Sequence, residues 1–482
     1  MEGLEISEVL YSECLSATYS QRLDSNYFQK EFIAASALRN SVPLSEMCLI
    51  RSGTTPTVRD ENLRGGVILL KTTNIRNGVL SSKAGTNFFH IDPATDSAMT
   101  KTRLDQDDVL MNIVGATTDV IGRCAILESN FPAANITQAM ALLRLKENYK
   151  LIFSPKFLFV YLISKFGHQQ IRRVARPTGQ FNMNLEEVGS IPIPTLMLSF
   201  QQEISKMVNN SEALSNKAHR AYAAAESLLL ETLELINFTP SIEAVNIKSF
   251  KNSFSATGRL DAEYYQPKYE QMVAQIAAQP HNNLGALVNI QKSIEPGSDS
   301  YSEDAEGLPF LRVADYSKQG ITTPQVRLGE KFIEENVEKL DALKPKQDTI
   351  LFSKDGSVGE AYRLREDADF ITSSAILHLT VKDQSQVLPD YLTLALNSIV
   401  VKHQAERDAG GSIILHWRKE EIENVLVPII DMQIQQKIAT KIQESFKLKT
   451  EGARLLDMAK RAVEIAIEEN EETALEYIDS MS

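Results

Sequence analysis

Cysteine is scarce in this chain: three in 482 residues, at Cys14, Cys48 and Cys124, with no Cys-x-x-Cys spacing. That argues against a disulfide framework and a zinc knuckle, and it suits a reducing compartment. Long apolar runs are missing too. The longest, LIFSPKFLFVYLI from Leu151, is broken by Ser154, Pro155 and Lys156, which makes it too short and too polar to span a bilayer. The N-terminus MEGLEISEVL is acidic and lacks the basic-then-apolar order of a signal peptide. A cytoplasmic protein with no membrane partner is expected. No Gly-x-x-x-x-Gly-Lys-Ser/Thr loop and no Gly-x-Gly-x-x-Gly occurs. The seven histidines are scattered without a His-Glu-x-x-His, and Asp92-Pro93-Ala94 falls short of an Asn/Asp-Pro-Pro-aromatic loop. The chain therefore offers no catalytic residue, no metal ligand set and no cofactor motif of its own. With 43% hydrophobic and 23% charged residues it is an ordinary globular sequence, and it leans toward recognition.

The net charge of −13 is unevenly spread. Seven acidic side chains and no basic one lie between Glu464 and Asp479, more than half of the excess. Arg64 to His90 holds Arg64, Lys71, Arg76 and Lys83 with no acid; Lys150 to Leu185 holds Lys150, Lys156, Lys165, Arg172, Arg173 and Arg176, again with none. Local fields govern contact with phosphates, so the total does not exclude a nucleic-acid partner.

What is present in abundance is self-similarity. RLDSNYFQKEF from Arg22 returns as RLDAEYYQPKYEQM from Arg259. LLKTTNIRNGVLS from Leu69 matches FLRVADYSKQGIT from Phe310, QDDVLMNIVGATTDVIGR from Gln106 matches KQDTILFSKDGSVGEAYR from Lys346, and ITQAMALLRLK from Ile136 matches ITSSAILHLTVK from Ile371. Farther on, Glu186, Glu187, Pro194, Gln201, Gln202 and Ile204 recur as Glu420, Glu421, Pro428, Gln435, Gln436 and Ile438. The period is far longer than a solenoid's, so this is one domain with its tail, written twice. Short β-branched and aromatic runs between Gly, Pro and Asn turns, followed by one helical stretch, predict an α+β globule in each copy.

After Pro194 and Pro428 the pattern turns helical for some 35 residues, about 50 Å at about 1.5 Å per residue. Ile204, Val208, Ser211, Ser215, Ala218, Tyr222, Ala225, Leu229, Thr232 and Ile236 alternate by four and three, and so do Ile438, Ile442, Ser445, Lys449, Gly452, Leu456, Ala459, Val463, Ala466 and Asn470. Such a stripe with small residues predicts two long helices packed antiparallel against each other, carrying two similar globules. The expected organisation is an N-terminal segment 1–32, a first globule 33–195, a central helix 196–238, a repeat of the first segment at 239–270, a second globule 271–428, and a C-terminal helix with acidic tail 429–482. Two like faces, inverted, at a fixed distance suit duplex DNA with its inverted half-sites.

Taken together, these features resemble the specificity subunit of a Type I restriction-modification enzyme. The likeness rests on the paired Arg-Leu-Asp-x-x-Tyr-aromatic strings, on Arg51-Ser52-Gly53-Thr54-Thr55-Pro56, and on the Ile191-Pro192-Ile193-Pro194 and Val427-Pro428-Ile429 exits into Gln201-Gln202 and Gln435-Gln436. It implies two target recognition domains, each reading half of a split double-stranded DNA target. It also implies assembly with two methyltransferase subunits that use S-adenosylmethionine to methylate adenine, and with two restriction subunits that use ATP and Mg2+. The specificity subunit would itself be non-catalytic. A recognition subunit of another split-site system, or a coiled-coil scaffold that binds no DNA, are the competing readings. The Val-Pro-Ile-Ile exit of the second copy departs from Ile-Pro-Ile-Pro and is expected to loosen that hinge. The acidic tail would either dock a basic methyltransferase surface or be a solvated helix face.

Base readout needs Arg or Lys for guanine and Asn or Gln for adenine on loops. Candidates in the first globule are Lys71, Thr72, Thr73, Asn74 and Arg76, then Arg172, Arg173, Arg176, Thr178, Gln180 and Asn182. In the second they are Arg312, Ser317, Lys318, Lys354, Ser412, His416 and Arg418, while Trp417 is expected in the core. The helix pair should pack through Ile204, Val208, Ala218, Tyr222, Ala225, Leu229, Ile438, Ile442, Gly452, Leu456, Ala459 and Val463.

Overall fold

A computed structural model describes residues 8–12, 14, 22–32, 40–60, 63, 65–76, 78–80, 88–243, 245–302, 306–410 and 415–481, with backbone alone at 177 and 178. The chain divides into two compact units, Met1–Asn216 with Leu448–Ser482, and Lys217–Lys447.

In the first unit, four antiparallel strands lie in the order Cys48–Ser52, Met140–Leu145, Val109–Asn112, Cys124–Ile126. Both faces of this sheet are covered. Val109, Met111, Ala141 and Leu143 enter one core, whereas Leu110 and Leu142 enter another. That is why these strands read as unbroken apolar runs instead of alternating ones. Val67–Leu70 pairs in parallel with Ala134–Ile136 and antiparallel with Phe89–Ile91. The expected single helical stretch is two helices, α1 (Pro155–Ile163) and α2 (Lys165–Val174), divided at the extended residue Ser164. The Ser164 hydroxyl accepts from the Gly167 amide and so starts α2. Gly167 has no room for a Cβ, which would lie 2.1 Å from the Tyr161 carbonyl oxygen.

The first long helix, α3 (Leu198–Thr232), passes from the first unit into the second. The second unit repeats the sheet as Val288–Lys292, Ile376–Val381, Ile350–Ser353, Ala361–Arg363, and the parallel pair as Leu308–Leu311 with Ile371–Thr372. Helices α4 (Pro389–Asn397) and α5 (Ile399–Asp408) repeat α1 and α2, divided at Ser398. Helix α6 (Met432–Glu468) returns from the second unit to the first.

The two long helices, 35 and 37 residues, pack on each other within each unit. In the first, the Ser211 hydroxyl donates to the Gly452 carbonyl at 2.7 Å, and a Cβ on Gly452 would stand 3.2 Å from the Ser211 backbone carbonyl oxygen. Near the start of α3 the Met197 amide meets the Glu471 carboxylate, so the two run antiparallel. In the second, the Ser445 hydroxyl donates to the Ala218 carbonyl at 2.8 Å. Small residues mark the close approaches, as the stripe predicts. Ile204, Val208, Ala459 and Val463 join the first unit's main core, with Leu456 half-buried against it; Tyr222, Ala225, Leu229, Ile438 and Ile442 join the second's. The seam is thus shared between partner helix and globule.

Two expectations need correction. Ile236 lies beyond α3 and is exposed, because the helix closes with Glu234 at φ 57° and the Leu235 amide bonded back to the Leu230 carbonyl. Asn470 likewise follows the end of α6. Nor does the second exit depart from the first in its strand pairing. Ser41–Pro43 pairs with Pro192–Pro194, and His281–Asn283 pairs with Leu426–Pro428 in the same way. The residue matching Pro192 is therefore Leu426, whose extra amide hydrogen is met by the Gln404 side chain at 2.9 Å.

The duplicated Arg-Leu-Asp string has one job in both places. Arg22 grips Asp24 through Nε and Nη2, both at 2.7 Å, and donates Nη1 to the Val174 carbonyl that ends α2. Arg259 grips Asp261 and donates to the Asp408 carbonyl that ends α5, at 2.8 Å. A guanidinium there satisfies an orphan carbonyl and complements the helix dipole. Each following tyrosine is held between two arginines: Tyr27 between Arg22 and Arg173, Tyr264 between Arg259 and Arg407.

Candidate nucleic-acid interface

The loop after Val67–Leu70 is a single 3-10 turn, Thr72–Asn74. Asn74 is fully buried, its carbonyl oxygen taking the Lys71 amide at 3.0 Å, and Asp315 holds the Arg312 amide identically at 2.9 Å. Asn74 is therefore the brace of the turn and does not reach its surface. Thr73 is exposed, and Lys71, Thr72 and Arg76 are half-buried. The Lys71 ammonium lies 3.7 Å from the Phe89 ring centre. Arg312 sits beside Asp315, while Ser317 accepts from the Gln319 amide within its turn. Lys318 is committed to the fold: Nζ reaches Glu226 on α3 at 2.6 Å, and the ammonium lies over Tyr222.

The second segment is a hairpin, Arg176–Thr178 with Gln180–Asn182, turning at Gly179 with φ 77° and joined to Val114–Gly115. Gln180, Asn182 and Arg172 are exposed. Arg173 is occupied by Tyr27, stacking on its ring and donating Nε to its carbonyl at 3.2 Å. Arg176 pairs with the buried carboxylate of Glu187, which also caps the short helix Leu185–Gly189 together with Asn184. These arginines hold the hairpin and leave Gly179 and Gln180 exposed at its tip. The Thr178 side chain and Ser412 lie outside the described residues.

In the second unit His416 forms bridges to both Asp355 and Gly410, at the position equivalent to Asn182. Its Nδ1 lies 2.9 Å from Asp355 Oδ1, and Lys354 pairs with the same aspartate. His416 and Arg418 are exposed, and Trp417 between them is buried against Phe352, in the core as expected. Gly258, Arg259, Asp261, Gly410, His416 and Arg418 border a pocket of about 470 Å³.

Two further kinds of residue stand out in the structure that were not among the candidates above. Gln201 and Gln435 are fully buried and tie the starts of the long helices to the globules. Gln201 accepts from the Ser154 amide and donates to the Ile152 and Leu196 carbonyls, and Gln435 does the same with Leu388, Gln386 and Ile430. Their recurrence at matching positions was the available signal. Arg123, beside Arg76, is the other. Burial lowers its guanidinium pKa and the Arg76 charge adds to that.

Among the described residues no helix is long and apolar enough to cross a membrane. Residues 283–454 match the family model for the Type I restriction modification DNA specificity domain. No relative was found among curated proteins. Among solved structures, the chain is similar to the S subunit of a Type I restriction-modification system from M. genitalium, with 14% identity over 95% of this chain and 97% of that one and a TM-score of 0.35. It is also similar to the HsdS subunit of Thermoanaerobacter tengcongensis, with 16% identity over 88% and 96% and a TM-score of 0.27. The family match thus places the likeness to a Type I restriction modification DNA specificity domain in residues 283–454 of this chain.

Proposed function

We propose that the whole chain is the specificity subunit of a Type I restriction-modification complex. Each unit reads one half of a bipartite duplex target, and the long helices set the spacer between the halves. The observation that carries this reading is the repetition. The sheet order, parallel strand pair, divided helices and glutamine clamp of the family-matched segment recur in residues 41–201, so the same reading device stands twice in one chain. Thr73, Arg172, Gln180 and Asn182 in the first copy, and His416 and Arg418 in the second, are exposed side chains suited to base edges.

The chain itself would be non-catalytic and cytoplasmic. It would recruit two methyltransferase subunits, which hold S-adenosylmethionine and modify adenine, and two restriction subunits, which hold ATP and Mg2+. Its contribution is to decide where those subunits act.

The test is a map of methylated adenines in cells carrying the complete system. The expected result is a two-part motif with a fixed gap. Inserting seven residues into each long helix, after Asn216 and after Lys447, nearly preserves the seam phase and adds about 10 Å at about 1.5 Å per residue. The gap should then widen by about three base pairs at about 3.4 Å each. A contiguous motif, or a gap unchanged by the insertion while methylation persists, refutes the reading.

A further inference from the structure

One cluster in the first unit holds more positive charge than its surroundings neutralise. Arg76 ends the strand Ile75–Arg76, and Arg123 directly precedes the adjoining strand Cys124–Ile126. Among the described residues neither makes an ion pair, and Nε of Arg76 is buried with no hydrogen-bond partner. Arg123 spends its own Nε on the Asp119 carbonyl at 2.7 Å. The two guanidinium groups act on each other as like charges. The turn that carries Arg123 is seated on α2: Gly122 has φ 74°, and a Cβ there would fall 2.2 Å from Cγ2 of Ile171. The next residue on α2, Arg172, is exposed, and its charge reaches His168, lowering that imidazole's pKa after burial has done so. Among the described residues Asp119 is the carboxylate whose field reaches both Arg123 and His168.

The second unit does not repeat this. Gly359 takes the place of Gly122, with its missing Cβ facing Ala405 as Gly122 faces Ile171. The residues matching Arg76, Arg123, His168 and Arg172 are then Ser317, Glu360, Lys402 and Glu406. Glu360 is spent internally, accepting the Lys318 amide at 2.5 Å. A shared scaffold in which Glu360 and Glu406 replace Arg123 and Arg172, and serine replaces Arg76, points to a device that only one copy needs.

Two neighbouring arginines with a buried unmet donor are unfavourable alone and become favourable around an anion that accepts from both forks. We propose that Arg76 and Arg123 form a clamp for a backbone phosphate of duplex DNA, present in the first unit and absent from the second. This rests on the DNA-reading function proposed above. A phosphate contact fixes register without specifying bases, so the first unit would anchor the duplex while both units read it.

The test uses the full chain and a random-sequence duplex, with affinity measured between 50 and 200 mM salt. Losing one phosphate contact should flatten the slope of log K against log salt by about 0.9, so that R76Q/R123Q loses about 3.5-fold less affinity than the parent over that range. R123K keeps the charge and should keep the slope while binding more weakly. K206Q/K460Q removes the same number of positive charges from the long helices, where each lysine is already paired with an acid three residues earlier, and should leave the slope alone. In parallel, the melting temperature is followed with inorganic phosphate against chloride at equal ionic strength; a phosphate-specific rise in the parent should vanish in R76Q/R123Q. A folded R76Q/R123Q with the parent's salt slope overturns the clamp. A parent that binds no duplex removes DNA as the occupant and counts against the proposed function. A parent that binds duplex but shows no phosphate-specific rise counts against the clamp alone.

Discussion

Replacing Gln435 with leucine keeps the side chain's size and deletes its amide. In the structure that amide is fully buried and makes three bonds: it accepts from Leu388 N at 2.9 Å and donates to the Gln386 and Ile430 carbonyls at 3.1 and 3.0 Å. At about 1 kcal/mol net per bond the loss is about 3 kcal/mol, and the stranded Leu388 donor raises it toward 4–5 kcal/mol. That is a large part of the 5–15 kcal/mol typical of a domain. Trp417, the only tryptophan, lies in the core of the same unit, so its emission during a urea titration reports this unit's unfolding. We expect Q435L to move the midpoint down by the equivalent of about 3–5 kcal/mol with an unchanged slope. Q201L should do comparable damage in the first unit, followed by amide exchange on α1, because Gln201 makes the matching three bonds at 2.8–2.9 Å. A loss below about 1 kcal/mol in Q435L would show that the glutamine clamp does not hold the helix to the globule, and the explanation of the repeated Gln-Gln string would fail.

Other outcomes follow from the same geometry. G122A must place a methyl 2.2 Å from Ile171 Cγ2, whereas G359A meets Ala405 at 3.5 Å, and both glycines have positive φ. In thermal denaturation G122A should therefore cost about 1–3 kcal/mol more than G359A, and equal costs would contradict the packing. R22K and R259K keep the charge but cannot hold the aspartate through two nitrogens while donating to the helix-end carbonyl. About 1–2 kcal/mol of destabilisation is expected in each, measured by urea unfolding, and full stability in R22K would show that the fork is dispensable. His378 is buried, its Nε2 2.8 Å from the Thr372 hydroxyl, and burial lowers its pKa to about 4. Its folded pKa lies below the unfolded value, so its contribution is whole above about pH 6.5 and is lost as pH falls to about 4, roughly 3 kcal/mol in all. H378L, which installs the residue found at the matching Leu142, should flatten stability across that window; an unchanged pH profile would contradict the assignment.

The recurring strings from Arg22 and Arg259 told the reader that something was built twice, and the long stripe told which residues face the seam. Both follow from local rules, since helical periodicity and duplicated strings are visible in one dimension. Ile236 was misplaced because the end of α3 is set by a left-handed closing residue, Glu234, and not by the hydrophobic pattern. The candidate readers fared unevenly for a physical reason. Asn74, Arg173, Arg176 and Lys318 carry the chemistry that reads bases, but the same hydrogen-bonding groups brace turns and pair with buried carboxylates or a helix. Composition cannot say which partner reaches them first.

The amino-acid sequence alone determined that this is a duplicated α+β protein with two long amphipathic helices and no catalytic motif, because repetition and periodicity need no third dimension. Only the tertiary structure decided what the repeated residues do. Arg22 closes a helix more than a hundred residues away, Gln201 clamps the loop that leads into α1, and Arg123 finds Arg76 beside it. Each of those meetings depends on strand order and on burial, which bring distant segments within hydrogen-bond range and remove the water that would otherwise satisfy them.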